Sequence, residues 1–341
     1  MKYSSRFFLY APLALFLLLA LGVSVVWWRE ADALSDRLDA LNGHAAVPGA
    51  TLAFRSKSIS GFPFNLDVVF DGLRVTVKTP HGPASWTAGK FALHALTYGR
   101  EQMIFEATGD QALTWTDLAG KPHAMPFAAG ALHASAILGA QGLSRFDLDG
   151  IGFVAPALSA ARVQLHLRVA PNGGTVDVFA IADGVHLSPA LTGLFGPDIV
   201  QVKLNAAATP ARAFDGPRAG RTDWVRTFET FRAANGMLDV RDLEIAWPRL
   251  SAVGKGALSL DAAHAVQGLL DFKVAGIQTL LGAAQRHRVQ GGADSGIAAA
   301  LLARAAKAGN NDAGLLGAVV AFHGGMVSVG DTPATTEEPL Y

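Results

Sequence analysis

The chain has 341 residues, of which half are hydrophobic and only 16% are charged; this composition excludes a disordered chain, which combines low hydrophobicity with high net charge. Lys plus Arg and Asp plus Glu number 28 each, so there is no general basic field for a nucleic-acid partner. Cysteine is absent, which excludes disulfides, thiolate metal sites and cysteine nucleophiles.

The N-terminal segment is predicted to be a transmembrane anchor. Residues 7–28 carry no charge, and as a helix they would span roughly 33 Å, enough for a hydrocarbon core of about 30 Å. Trp27 and Trp28 end the run, where the aromatic belt of a bilayer lies. Residues 1–6 form a flank too short to hold a domain, so they are expected to stay in the cytoplasm.

These features predict a single-pass protein of the bacterial inner membrane with the bulk of the chain in the periplasm and membrane lipids as its neighbours. A cleaved signal peptide is the alternative, because Ala20 and Gly22 form a small-x-small cleavage site. Under either interpretation, residues 29–341 leave the cytoplasm.

An amphipathic stalk helix is predicted within residues 29–46. Leu34, Leu38 and Leu41 recur at helical spacing, and Asn42 followed by Gly43 is a stop signal.

From residue 47 to residue 331 the pattern predicts a β-rich domain. Leu66, Val68 and Phe70 alternate with polar residues, and similar alternation occurs at 73–77, 162–169, 175–182, 200–204, 238–245 and 257–260. The pairs Asp71-Gly72, Asp149-Gly150 and Asp183-Gly184 are predicted to be turns. The fold class is therefore mainly β with minor α: an anchor helix followed by a curved, mostly antiparallel sheet.

A few helices and a closing hairpin complete the predicted domain. Helical stretches are expected near residues 222–234, 277–289 and 296–308, and a hairpin near 319–329. Residues 332–341 are expected to form a flexible tail.

No motif for catalysis, a cofactor or a metal was found. No two of the ten histidines lie within four residues of each other, and the chain contains no Gly-x-Ser-x-Gly elbow. Gly254-Lys255-Gly256 lacks the third glycine of a dinucleotide loop and precedes a strand. A glycosidase pair of carboxylates distant in sequence stays open. The expectation is a protein that is not an enzyme and has no catalytic residues, cofactor or metal.

Two stretches carry a family resemblance. Residues 60–64 read Ser-Gly-Phe-Pro-Phe soon after the anchor, and residues 235–271 contain Asn-Gly before a strand, Trp-Pro after it and Gly-Lys-Gly-Ala-Leu-Ser-Leu-Asp beyond. These resemble the opening motif and strand-turn-strand core of a family of anchored bacterial envelope proteins, the domain of unknown function twenty-one twenty-five. Where that family would have Gly-Gly and Trp-Gly, this chain has Asn235-Gly236 and Trp247-Pro248. More distantly, the layout is similar to AsmA-like envelope proteins, some of which are linked to lipid movement.

The motif at residues 60–64 is interpreted as a bend at the entry to a strand. Gly61 is expected where a side chain would clash or φ is unusual, and Pro63 sets the following turn. Phe62 and Phe64 are expected to bury their rings in the core, so that Phe64→Ala would destabilise the domain. Direct contact with a ligand is the alternative.

These patterns suggest three functions. The first is a non-catalytic module for a lipid or other hydrophobic ligand that maintains the envelope, with an apolar groove lined by Phe62, Phe64, Leu66, Val68, Phe70, Leu165 and Leu167; the same residues would otherwise fill a closed core. The second is a scaffold or assembly factor for other envelope proteins, without a ligand. The third is an envelope hydrolase, which no sequence motif supports.

Overall fold

The computed structural model describes residues 5–79, 82–97, 99, 101–117, 120–192, 195–276, 300 and 315–336. The helices are α1 (Ser5–Leu41), a 3-10 turn (Ala211–Phe214), α2 (Asp215–Arg218) and α3 (Trp224–Ala233). The strands are β1 (His44–Val47), β2 (Ala50–Ala53), β3 (Ser56–Ser60), β4 (Asn65–Thr79), β5 (Gly82–Leu96), β6 (Gln102–Thr116), β7 (Pro122–Phe127), β8 (Ala131–Gly139), β9 (Gly142–Val154), β10 (Leu158–Val169), β11 (Val176–Leu187), β12 (Asp198–Thr209), β13 (Met237–Trp247), β14 (Leu250–Leu260), β15 (Val266–Ala275), β16 (Leu315–His323), β17 (Met326–Val329) and β18 (Thr332–Thr336).

Within the described ranges the strands form one antiparallel, 18-stranded sheet, which confirms the predicted fold class. From β8 to β18 each strand pairs with the next along the chain. At the other end, β2 and β3 lie one after the other along β4, and β7 and β8 do the same along β6. The fold is thus a meander, in which neighbours in sequence are mostly neighbours in space.

The predicted Asp-Gly turns are wrong. β4 runs from Asn65 to Thr79 without a break, and the chain reverses only between Thr79 and Gly82. Gly72 has a φ of +62°, a left-handed conformation that glycine adopts without a steric penalty. Val68 and Phe70 precede Gly72, Leu73 follows it, and all three side chains belong to one buried cluster. Gly72 therefore shifts by one position the pattern of residues that face the core, and it does not start a hairpin. Asp149-Gly150 and Asp183-Gly184 also lie inside strands, β9 and β11.

The predicted anchor and stalk form a single helix. α1 is long and apolar enough between Tyr10 and Leu41 to cross a membrane, with a mean hydropathy of 2.2 over its most apolar window. Leu13, Phe16, Leu17 and Val26 are among the large apolar side chains that it exposes. The helix ends at Leu41, directly before the stop signal Asn42-Gly43, and His44–Val47, the last part of the 29–46 segment, is already a strand.

The remaining predicted elements are only partly within the described residues. α3 confirms the helix expected at 222–234, and its N-cap Asp223 accepts a hydrogen bond from the backbone N–H of Arg226 at 2.9 Å. The helices expected at 277–289 and 296–308 lie outside the described residues, except for Ala300. Thr332–Thr336 pairs with β17 as an edge strand, so this half of the predicted tail is part of the sheet.

Candidate functional site

The second half of α1 packs on the apolar face of the sheet. Leu34 and Leu38 contact the buried cluster of Phe54, Val68, Phe70 and Leu73. This half-helix carries the leucines of the amphipathic pattern, and its partner face is built from the alternate residues of β4 and β5. The helix therefore serves two roles: its first half is exposed and apolar, and its second half covers the sheet.

Polar contacts fix the helix on the sheet at both ends of the stalk. At the anchor end, the Trp27 indole Nε1 donates a hydrogen bond to the backbone oxygen of Asn65 at 2.8 Å. At the far end, the Asn42 side chain donates to the Phe54 oxygen at 3.1 Å and accepts from the Phe54 N–H at 2.9 Å. Lys57 Nζ lies 2.7 Å from Asp39 Oδ1. These contacts hold α1 in one position along β4.

An open-sided cavity of about 230 Å³ lies between α1 and the sheet next to the anchor end. Its lining, called here the stalk cavity, consists of Glu30, Ala33, Leu34, Arg37, Leu66, Leu93, Ala95 and Met103. The sheet side is entirely apolar, and the two charged residues come from the helix. Small-molecule pockets typically measure roughly 300–1,000 Å³; the stalk cavity is smaller than this range, and its volume fits a segment of an acyl chain only.

A second apolar cavity, of about 250 Å³, lies where α2 and α3 meet the ends of β9 to β12. Phe146, Leu167, Val178, Phe214 and Trp224 are among its lining residues. A third, of about 180 Å³, continues from it along β12 to β15 and shares Ala208 and Phe214 with it. The sheet therefore offers adjoining apolar cavities beneath these helices.

The structure divides the seven predicted lining residues into four groups. Leu66 and Leu167 line cavities, the first under α1 and the second under α2 and α3. Val68 and Phe70 are buried in the filled core, and Leu165 is half-buried on β10. Phe62 and Phe64 lie on the surface. On one face of β4, Leu66 thus lines a cavity while Val68 and Phe70 belong to the filled core.

The prediction that Phe62 and Phe64 bury their rings is wrong. Phe62 is 54% exposed and Phe64 is 60% exposed. Gly61 has a φ of +100°, and a side chain there would meet the Asp67 carboxylate and the Asn65 oxygen, as predicted. The backbone bend is present as predicted, but the two rings lie at the surface, and the side chains that pack beside Leu66 are Trp27 and Ala31 of α1.

The opposite face of the sheet carries ion pairs that the sequence did not predict. Asp147 on β9 contacts His166 Nδ1 on β10 at 2.7 Å and Arg145 Nε at 2.6 Å. Burial raises the pKa of Asp147, but hydrogen bonds from His166 and Arg145 outweigh it and hold the pKa below its usual value. Arg162 binds Asp149 through two hydrogen bonds of 2.8 Å, which lower the pKa of Asp149.

This polar cluster, formed by Asp147, His166, Arg145, Arg162 and Asp149, stiffens the pairing of β9 with β10. Ser135 Oγ donates to Asp147 at 3.4 Å, whereas a serine nucleophile would bond to the histidine. Among the described residues, no group of three or more His, Asp or Glu side chains could hold a metal ion. The sequence pattern that indicates this cluster is the alternation of residues 145–149, in which Arg145, Asp147 and Asp149 share one face.

The fold and the N-terminal helix together define a class: a β-sheet protein whose N-terminal helix is apolar and long enough to span a membrane and also covers its sheet. The chain belongs to the family described as an uncharacterized protein conserved in bacteria (DUF2125), whose model matches residues 27–336. The match begins at Trp27, the residue of α1 whose indole donates a hydrogen bond to the Asn65 oxygen. No curated protein and no solved structure matches the chain.

Proposed function

We propose that the protein is a non-catalytic, lipid-binding module of the bacterial cell envelope, held in the inner membrane by uncleaved α1 with its sheet in the periplasm. The observation that carries the proposal is that one helix joins an exposed apolar span to an apolar cavity. Leu17 and Val26 are exposed on the span, while Ala33 and Leu34 of the same helix line the stalk cavity. A ligand that leaves the bilayer beside α1 would meet this cavity first.

The chemistry of the stalk cavity favours an acyl chain. Leu66, Leu93, Ala95 and Met103 present hydrocarbon and a thioether without a hydrogen-bond donor, and burial of a methylene there gains about 0.8 kcal/mol. Glu30 and Arg37 on the helix side provide the polar groups that an ester or headgroup needs. The small volume fits one segment of a chain, not a whole lipid.

The further cavities support transient passage of a lipid rather than storage. The second and third cavities adjoin through Ala208 and Phe214, so an apolar chain could move along the sheet. The distant resemblance to AsmA-like proteins points to the same class of role by analogy of layout.

Native mass spectrometry of the full chain, released from membranes in mild detergent, tests the proposal. We expect bound phospholipid or fatty acid on the wild type. Ala95→Phe, which fills the stalk cavity, should reduce it. The matched control is Ala92→Phe, which lies on the same strand but on the face shared with His94 and Asp67. Equal lipid on both variants would contradict the assignment of the cavity.

A scaffold for other envelope proteins is the second candidate. The observation that favours it is the edge strand β18, which pairs in the described part of the chain with β17 alone and so leaves backbone groups open for a strand of a partner. A wild type that carries no lipid, together with a variant bearing a photoreactive residue at the exposed position Thr335 that crosslinks stoichiometrically to one envelope protein, would favour this role over lipid binding.

A further inference from the structure

The bend between β3 and β4 exposes two aromatic rings on one turn. The turn is closed by the hydrogen bond from Asn65 N to Gly61 O, 2.8 Å long, and it presents Phe62 at 54% and Phe64 at 60% exposure. Single exposed apolar side chains are common on protein surfaces, but contiguous ones mark a surface that something covers.

These rings are continuous with the end of the membrane-type span. The ring centroid of Phe62 lies 5.5 Å from that of Trp27 in an edge-on arrangement. Trp28, next along α1, is 60% exposed, and Leu96 at the end of β5 is 42% exposed. Leu96 lies beside the turn, since the following residue, Thr97, donates its N–H to the Phe64 oxygen at 2.9 Å. Trp28, Phe62, Phe64 and Leu96 are called the corner patch below.

We infer that the corner patch inserts into the lipid interface of the membrane, as a second point of contact beside α1. The inference rests on the proposed function in one respect, namely that α1 spans the bilayer. The depth of the patch relative to the bilayer follows from two observations. Trp27 and Trp28 end the apolar run, where aromatic side chains lie at the membrane interface, and the ring of Phe62 contacts Trp27. Arg29, which follows at once, is exposed at the level of the headgroups.

Two contacts with the bilayer constrain the sheet as one contact cannot. A domain attached by a single helix is free to rotate about the helix axis. A second membrane contact, at a turn displaced from that axis, fixes the orientation of the sheet relative to the bilayer. Leu66 of the stalk cavity follows the turn directly on β4, and Glu30 follows Trp28 and Arg29 on α1. The insertion therefore holds the mouth of the stalk cavity against the headgroups, where an acyl chain can enter without crossing water.

Site-directed spin labelling of the full chain tests the inference directly, because the chain has no cysteine of its own. Phe62→Cys and Phe64→Cys would each carry a nitroxide, in nanodiscs of phosphatidylethanolamine and phosphatidylglycerol that hold one copy. Leu17→Cys marks the lipid interior. Lys78→Cys, exposed near the far end of β4 and about 45 Å along the strand from Phe64, marks water. The measurement is the accessibility of each label to oxygen, which partitions into lipid, relative to a water-soluble nickel chelate.

We expect the labels at 62 and 64 to give accessibility ratios several-fold above that at 78 and below that at 17. If the accessibility ratio at position 64 equals that at 78 while the ratio at 17 is typical of lipid, the inference about the corner patch is overturned, and the proposal that α1 spans the membrane is retained. A water-like label at 17 would instead overturn the proposed function. A label at 64 that is wet in single-copy nanodiscs but shielded in concentrated micelles would assign the patch to contact between copies, which also overturns the inference. Phe64 is 60% exposed, and the ring contact with Trp27 is made by Phe62, so Phe64→Cys leaves that contact in place.

Discussion

The indole Nε1 of Trp27 donates a hydrogen bond of 2.8 Å to the backbone oxygen of Asn65, the first residue of β4. Trp27 is 7% exposed, whereas its neighbour Trp28 is 60% exposed. Of two adjacent tryptophans at the end of an apolar run, one is therefore part of the domain and the other faces its surroundings. This bond marks where α1 changes from an exposed apolar helix to a cover for the sheet.

The first prediction concerns this bond. Trp27→Phe keeps an aromatic ring but leaves the Asn65 oxygen without its donor, and a lost hydrogen bond typically costs about 0.5–1.5 kcal/mol. We expect the melting temperature of the purified full chain to fall by about 2–4 °C. Trp28→Phe is the control and should leave it unchanged. Equal shifts for both variants would show that the bond does not contribute to stability.

The second prediction compares two apolar residues of one strand entry. Leu66 is 3% exposed, so Leu66→Ala should cost about 2–5 kcal/mol of unfolding free energy. Phe64→Ala, at the exposed corner, should cost less than about 0.5 kcal/mol. Denaturant unfolding of both variants measures the difference. A large loss for Phe64→Ala would restore the original expectation of a buried ring.

The third prediction concerns Gly61. Alanine at a φ of +100° is strained, and its Cβ would lie 2.7 Å from Asp67 Oδ2 and 2.8 Å from Asn65 O. We therefore expect Gly61→Ala to destabilise the domain by more than about 1 kcal/mol. Gly317→Ala, where a Cβ meets no atom within 4 Å, is the control. A neutral Gly61→Ala would mean that the bend can relax.

The fourth prediction is a dependence on pH. The pKa of Asp147 is lowered in the folded protein, so its ionised form stabilises the fold above the pKa of the unfolded chain, near 3.9. This contribution is lost as the pH falls through the lowered folded value. Asp147→Asn should therefore lower stability at neutral pH by about 1–3 kcal/mol and flatten its loss in acid.

Thermal unfolding between neutral pH and acid measures this effect. Asp110→Asn, an exposed carboxylate on β6, serves as the control and should retain the acid dependence of the wild type. Parallel curves for wild type and Asp147→Asn would show that the pair with His166 does not act on stability.

The fifth prediction is that the N-terminal segment is retained. Intact-mass measurement of protein purified from membranes should find Met1 to Trp28 present, and the protein should stay in the membrane fraction after carbonate washing. A mature N-terminus at Val23 would identify a signal peptide. The hydrogen bond of Trp27 would survive such cleavage, so stability data cannot replace this measurement.

The sequence by itself determined the classes of element and their faces. The uncharged run at residues 7–28 predicted a long apolar helix. The alternation of Leu66, Val68 and Phe70 predicted a strand with one buried face, because successive side chains of a strand point to opposite faces. The conformation of Gly61 was also local and was predicted correctly. Of the candidate site, the sequence patterns predicted the cavity-lining residues Leu66 and Leu167.

Only the tertiary structure decided what each face meets. Whether Gly72 reverses the chain or kinks a strand depends on β5, whose Phe91 lies opposite Phe70 and whose Ala88 lies opposite Leu73. Leu66 is covered by Trp27 and Ala31 of α1, whereas nearby Phe64 is exposed, and Asp147 is paired because β10 brings His166 beside it. A periodic pattern fixes the direction of a side chain, but competition among distant segments for the same apolar surface fixes its neighbours.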